Sequence, residues 1–89
     1  MQFHPGEIVL ATAGRDKGKY FIVLSCAEGF VYLCDGKNRR LDNPKRKSVR
    51  HISESIGKAE GISFADATGN KAIRKIISGF KSAHSDRKE

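Results

Sequence analysis

Long apolar runs are missing from this 89-residue chain, and no stretch approaches the roughly 20 residues that a membrane-spanning helix needs. Met1-Gln2-Phe3-His4-Pro5 has neither the basic start nor the apolar stretch of a secretory signal, so a cytoplasmic location without a membrane partner is expected. Cysteine is scarce. Cys26 and Cys34 are the only two. In a hairpin turning near Glu28, Cys34 falls opposite residue 22 or 23 while Cys26 lies beside the turn, so the thiols do not face each other. Both read as small core residues of a reducing compartment. His4, His51 and His84 are scattered, and no CxxC or HxxxH spacing occurs, so neither a metal nor another cofactor is expected.

Catalytic constellations are equally sparse. No two carboxylates are spaced as a pair on one element, and His51 has no nucleophile near it in sequence, which argues against an enzyme and against a small-molecule substrate. The segment Ala13-Gly14-Arg15-Asp16-Lys17-Gly18-Lys19 has the spacing of a loosened P-loop. Tyr20 stands where a magnesium-holding Ser or Thr belongs, and the segment leads into an apolar strand instead of a helix N-terminus.

What the chain does have is positive charge in one place. Its net charge is +7. Residues 1–36 are slightly acidic, with Arg15, Lys17 and Lys19 against Glu7, Asp16, Glu28 and Asp35. Residues 37–51 hold Lys37, Arg39, Arg40, Lys45, Arg46, Lys47 and Arg50 against Asp42 alone. A solvated face intersperses the two signs, whereas charge concentrated in this way suits a polyanion, nucleic acid foremost. The competing reading of such a run is a disordered tail or localisation signal. Here it is internal and interrupted by Leu41, Pro44 and Val49, which favours a folded edge.

The remaining pattern predicts a small domain rich in strands. Glu7–Ala13 reads as a first strand and Tyr20–Cys26 as a stronger one, whose unbroken Tyr-Phe-Ile-Val-Leu suggests burial on both sides. Ala27-Glu28-Gly29 predicts a turn, and Phe30–Cys34 a third strand ended by a hairpin signal, Asp35-Gly36. Lys37–Leu41 is expected to pair back across that signal, Asn43-Pro44 to break it, and Ser48–Ile52 to form a last short strand. Phe21, Phe30 and Phe64 are assigned to the core, leaving Tyr20 and Tyr32 as the rings that could meet a base. Residues 53–67 read as a connection. Ala72, Ile73, Ile76, Ile77 and Phe80 then recur at helical spacing, giving a helix over 68–81 that Asp66 or Thr68 can cap. Gly69 and Gly79 weaken it, so it depends on packing. Lys71, Arg74 and Lys75 on its other side are either a second phosphate contact or simply solvated. Residues 82–89 form a polar tail.

Gly14 and Gly18 allow a tight loop between the first two strands, with Arg15, Lys17 and Lys19 displayed on it. From residue types alone a solvated turn explains this loop equally well. Residues 6–36 resemble the KOW motif, with Gly18 at its characteristic glycine and Lys17 and Lys19 beside it. The continuation Asp35-Gly36-Lys37-Asn38-Arg39-Arg40 and Pro44-Lys45-Arg46-Lys47-Ser48-Val49-Arg50-His51-Ile52 resembles KOW-domain RNA-binding proteins of bacteria. These are similar to KOW-containing large-subunit ribosomal proteins of archaea and eukaryotes. The resemblance covers residues 5–52.

It implies a small SH3-like barrel of the KOW type, in agreement with the spacing of the short strands. With the helix that the apolar periodicity predicts packed on that barrel, the expected fold is mainly β, a barrel over 1–52 followed by a C-terminal α-helix. The resemblance also implies a non-catalytic module, ribosomal or ribosome-associated, that contacts the phosphate backbone of structured RNA, most often ribosomal RNA, with ribosomal proteins as further partners. The candidate RNA-binding residues are Arg15, Lys17, Lys19, Lys37, Arg39, Arg40, Lys45, Arg46, Lys47, Arg50 and His51, and the turn glycines are Gly14, Gly18 and Gly36. The alternative is a protein-interaction module of the transcription or translation machinery, using the helix stripe or an edge strand. Charge alone does not separate RNA from DNA.

Overall fold

A computed structural model describes residues 3–65 and 68–85. Five strands, β1 (Glu7–Leu10), β2 (Tyr20–Ala27), β3 (Phe30–Cys34), β4 (Lys45–Ser48) and β5 (Gly57–Lys58), form one antiparallel sheet in the order β4-β3-β2-β1-β5. A single turn of 3-10 helix, Val49–His51, follows β4, and one α-helix, α1 (Thr68–Ser85), follows β5. The domain is therefore mixed α/β. Among the described residues no helix is long and apolar enough to cross a membrane.

Central strand β2 explains the architecture. Its side chains alternate between two clusters, one on each face of the sheet. Phe21 and Val23 join Phe3, Val9, Ala11, Val31, Leu33 and Ile52 on one face. Ile22 joins Ile8, Cys34, Ile73 and Ile77 on the other, with Tyr20, Leu24 and Phe80 around them. The uninterrupted apolar run is thus buried on both sides, as its sequence predicts. A register shift between Val23 and Ser25 leaves Leu24 unmatched against β3, a bulge that bends the strand.

The stripe of α1 closes the second face, with Ile73 and Ile77 buried and the Phe80 ring edge-on to Tyr20 at 5.8 Å. The first face is closed by the chain's own return. After the 3-10 turn, Ile52 bridges to Ala11, and Ser53 N–H donates to the Leu10 carbonyl at 2.8 Å. That return does not complete a barrel. β4 and β5 remain the two edges, because the segment that reaches back to β1 contributes one bridge instead of a ladder.

Four local expectations need correction. Asp35-Gly36 does not turn a two-residue hairpin. The Asp35 carboxylate accepts from the backbone N–H of Lys37 (2.9 Å) and Arg39 (2.8 Å), folding 35–44 into a long loop and leaving no strand at Lys37–Leu41. The fourth strand is Lys45–Ser48 in place of Ser48–Ile52, since Ser48 Oγ accepts from Arg50 N–H and starts the 3-10 turn there. Residues 53–67 include β5, which completes the edge of β1. The helix continues through Ser85, so 82–85 are helical, while 86–89 and the proposed cap Asp66 lie outside the described residues. The hairpin joining β2 to β3 is as expected, with both Glu28 (φ 48°) and Gly29 (φ 86°) left-handed, the conformation of a primed turn.

Candidate functional site

The glycine loop between β1 and β2 is built from its own backbone. Gly14 (φ 82°) and Gly18 (φ 89°) both take left-handed conformations, Lys17 N–H donates to the Gly14 carbonyl and Gly18 N–H to the Ala11 carbonyl. These bonds fix a short, tight excursion that carries Arg15, Lys17 and Lys19, all exposed.

Asp16 joins this loop to the basic segment. Its carboxylate lies 3.1 Å from Lys45 Nζ and 3.7 Å from Lys19 Nζ. Burial opposes ionisation of Asp16, but the hydrogen bond from Lys45 and the charges of Lys45, Lys19 and Lys47 together outweigh it, so its pKa falls below the ordinary 3.8. Lys47 reaches the same place, its Nζ only 3.3 Å from where a side chain on Gly14 would begin. Arg15, Asp16, Lys19, Asp35, Arg39 and Lys45 line one depression of about 160 Å³.

Strand alternation decides which cations meet. Lys45 and Lys47 pair with Leu33 and Val31, whose side chains belong to the first cluster, and so lie on the glycine-loop side of the sheet. Arg46 pairs with Tyr32 and points to the other side, where its guanidinium carbon sits 4.4 Å from the centre of the Phe30 ring. The run Lys45-Arg46-Lys47 therefore does not act as one cluster. Phe30, assigned to the core, is 37% exposed beneath Arg46 because it begins β3 beyond the cover of the helix. Phe21 is buried, and Phe64, Tyr20 and Tyr32 are half-buried.

The other candidates take separate places. Arg50 and His51 are exposed on the 3-10 turn, next to the root of the glycine loop, where Thr12 N–H donates to the His51 carbonyl. Arg40 is exposed in the loop after β3, its carbonyl accepting from Asn43 N–H. Lys37 is also exposed and lines a second, larger groove, about 690 Å³, between that loop and α1.

Gly36, the third turn glycine, seats the helix against this loop. At φ 78° it has no side chain where one would begin 3.0 Å from the backbone nitrogen of Arg74 and still nearer the Asn70 carbonyl. Arg74 Nη1 donates to the Gly36 carbonyl at 2.9 Å, and buried Asn70 accepts from Leu41 N–H at 2.8 Å. One nitrogen of the exposed Arg74 is thus engaged by the Gly36 carbonyl. Two participants were not legible as such in the sequence: Asp16, an acid placed among cations, and Lys81, whose signal is its place ten residues beyond Lys71 on one helix.

No protein-family model matches the chain, and no curated protein matches it.

Proposed function

We propose that the protein is a non-catalytic RNA-binding module of the KOW type, ribosomal or ribosome-associated, that grips the phosphate backbone of structured RNA. The observation that carries this reading is convergence. Arg15 and Lys19 from the glycine loop meet Arg39, Lys45 and Lys47 from the loop after β3 and from β4, on one side of the sheet. Clusters that are separate in sequence thus make one patch, with Asp16 between Lys19 and Lys45 and Asp35 also on its border. Lysine and arginine on phosphate position a protein without identifying bases, so the expected specificity is for the shape and backbone of a duplex. Support for an SH3-like path comes from the bent β2, its two-sided burial, and the return of Ile52 to Ala11.

The test is a salt titration of binding to a fluorescent RNA hairpin, with a DNA hairpin of the same sequence as control. Lys45→Gln with Lys47→Gln is expected to lower the slope of log affinity against log salt by roughly 1.4–1.8. An unchanged slope removes these residues from the interface. Tighter binding of the RNA than of the DNA is expected, as is nuclease-sensitive co-sedimentation with ribosomes from a lysate. Nuclease-resistant pairing with a single protein would instead favour an interaction module.

A further inference from the structure

The 690 Å³ groove is walled on one side by α1 and on the other by the loop after β3 and the end of the glycine loop. Its cations are Lys19, Lys37, Lys71, Arg74, Lys75 and Lys81, with Asp35 as the single acid. Asp35 is already held by two backbone N–H groups, and Arg74 is held by the Gly36 carbonyl. No acidic group of the described residues lies within ion-pair distance of Lys37, Lys71, Lys75 or Lys81. Among the described residues, Lys37, Lys71, Lys75 and Lys81 therefore line one concave space without an acidic ion-pair partner, an arrangement that attracts an anion.

The shape of that anion follows from the helix. Lys71, Lys75, Ser78 and Lys81 fall within one third of its circumference, and ten residues of α-helix rise about 15 Å. The charges thus form a line, which suits an extended polyanion better than a single phosphate. The line also has a continuation. Lys19, Asp35 and Asn38 border both this groove and the smaller depression that holds Arg15, Arg39 and Lys45.

We infer that the groove seats one phosphodiester strand of the bound RNA, gripped between α1 and the two loops, and that this strand continues across Lys19 onto the Lys45–Lys47 side. The inference rests on the RNA-binding reading above and extends it to a second wall that the resemblance does not cover. Arg74, Gly36 and Asn70 act as positioning residues that hold the helix at a fixed distance from the loop. The groove is therefore formed before RNA arrives.

Three full-length proteins decide the matter with the RNA hairpin: wild type, Lys45→Gln/Lys47→Gln, and Lys71→Gln/Lys75→Gln/Lys81→Gln. Glutamine preserves helix propensity, and circular dichroism checks that α1 remains. The helix variant is expected to bind weaker by roughly tenfold or more, with the salt slope lowered by about 2. In the wild type, backbone amide signals of Gly18, Asn38 and Ser78 are expected to shift on RNA addition. If the helix variant binds with wild-type affinity and slope, or those amides stay unmoved while Lys45→Gln/Lys47→Gln loses affinity, the groove proposal falls and the RNA reading stands. If the wild type binds no RNA, both fall.

Discussion

Gly36 meets two separate demands, a left-handed backbone and an approach to α1 too close for any side chain. Gly18 meets only the first, since the space around it is open. Gly36→Ala should therefore cost roughly 2–4 kcal/mol, combining backbone strain with overpacking, whereas Gly18→Ala should cost about 1–2 kcal/mol. Urea unfolding of both variants checks the order, and equal losses would contradict the contact between Gly36 and the helix. The sequence marks both positions as turn glycines, but only three-dimensional packing distinguishes them. Cys34 gives the pH dependence at this scale. Burial, and then the charges of Asp35 and Asp42, push its thiol up to about 11 from an ordinary 9.0. A raised folded pKa means the contribution is complete below pH 9 and is lost as pH rises through 11. Cys34→Ala should flatten that alkaline loss, and in the native wild type iodoacetamide should label half-buried Cys26 before Cys34.

Elements were legible where local chemistry and packing agree. Tyr20–Cys26 and Phe30–Cys34 carry β-branched and aromatic residues on both faces, and Glu28-Gly29 supplies the primed turn between them. β4 was misplaced because Lys-Arg-Lys-Ser has weak strand preference, and pairing with β3 overrides it. β5 was invisible for a related reason. Nothing in Gly57-Lys58 favours a strand, but the outer edge of β1 is satisfied when Ile56 N–H bonds the Ile8 carbonyl and Ala59 N–H the Gly6 carbonyl. In the candidate site, the residue types were readable and the alternation that turns Arg46 away was not. Accordingly, Arg46→Gln should leave RNA affinity nearly unchanged beside Lys45→Gln/Lys47→Gln, while uncovering Phe30. An equal loss in the binding titration would mean that both sides of β4 meet RNA. Within α1, Gly69 sits against Leu41 and the carbonyl of Ser63, whereas Gly79 is exposed with nothing near it. Gly79→Ala should stabilise the protein by about 0.5–1 kcal/mol in thermal or urea unfolding, and Gly69→Ala should destabilise it.

At the scale of the molecule, one sheet serves two cores, and β2 and β3 contribute to both. Neither core can open alone without exposing the back of strands that the other needs. Ile73→Ala, which empties the centre of the helix-covered cluster, should cost about 2–5 kcal/mol and still give one cooperative transition. Tyrosine fluorescence, dominated by Tyr20 and Tyr32, and far-ultraviolet circular dichroism should report coincident midpoints. Separate midpoints would show α1 detaching as an independent unit.

Among the described residues, no strand pairs with the outer edge of β4 along Lys45–Ser48. An open edge invites a strand from another copy, and crowded like charges discourage that approach. Here the guardians of the edge are also the groups proposed to hold RNA. If RNA neutralises them, the repulsion between neighbouring edges weakens, and copies crowded on one long RNA are expected to associate edge to edge.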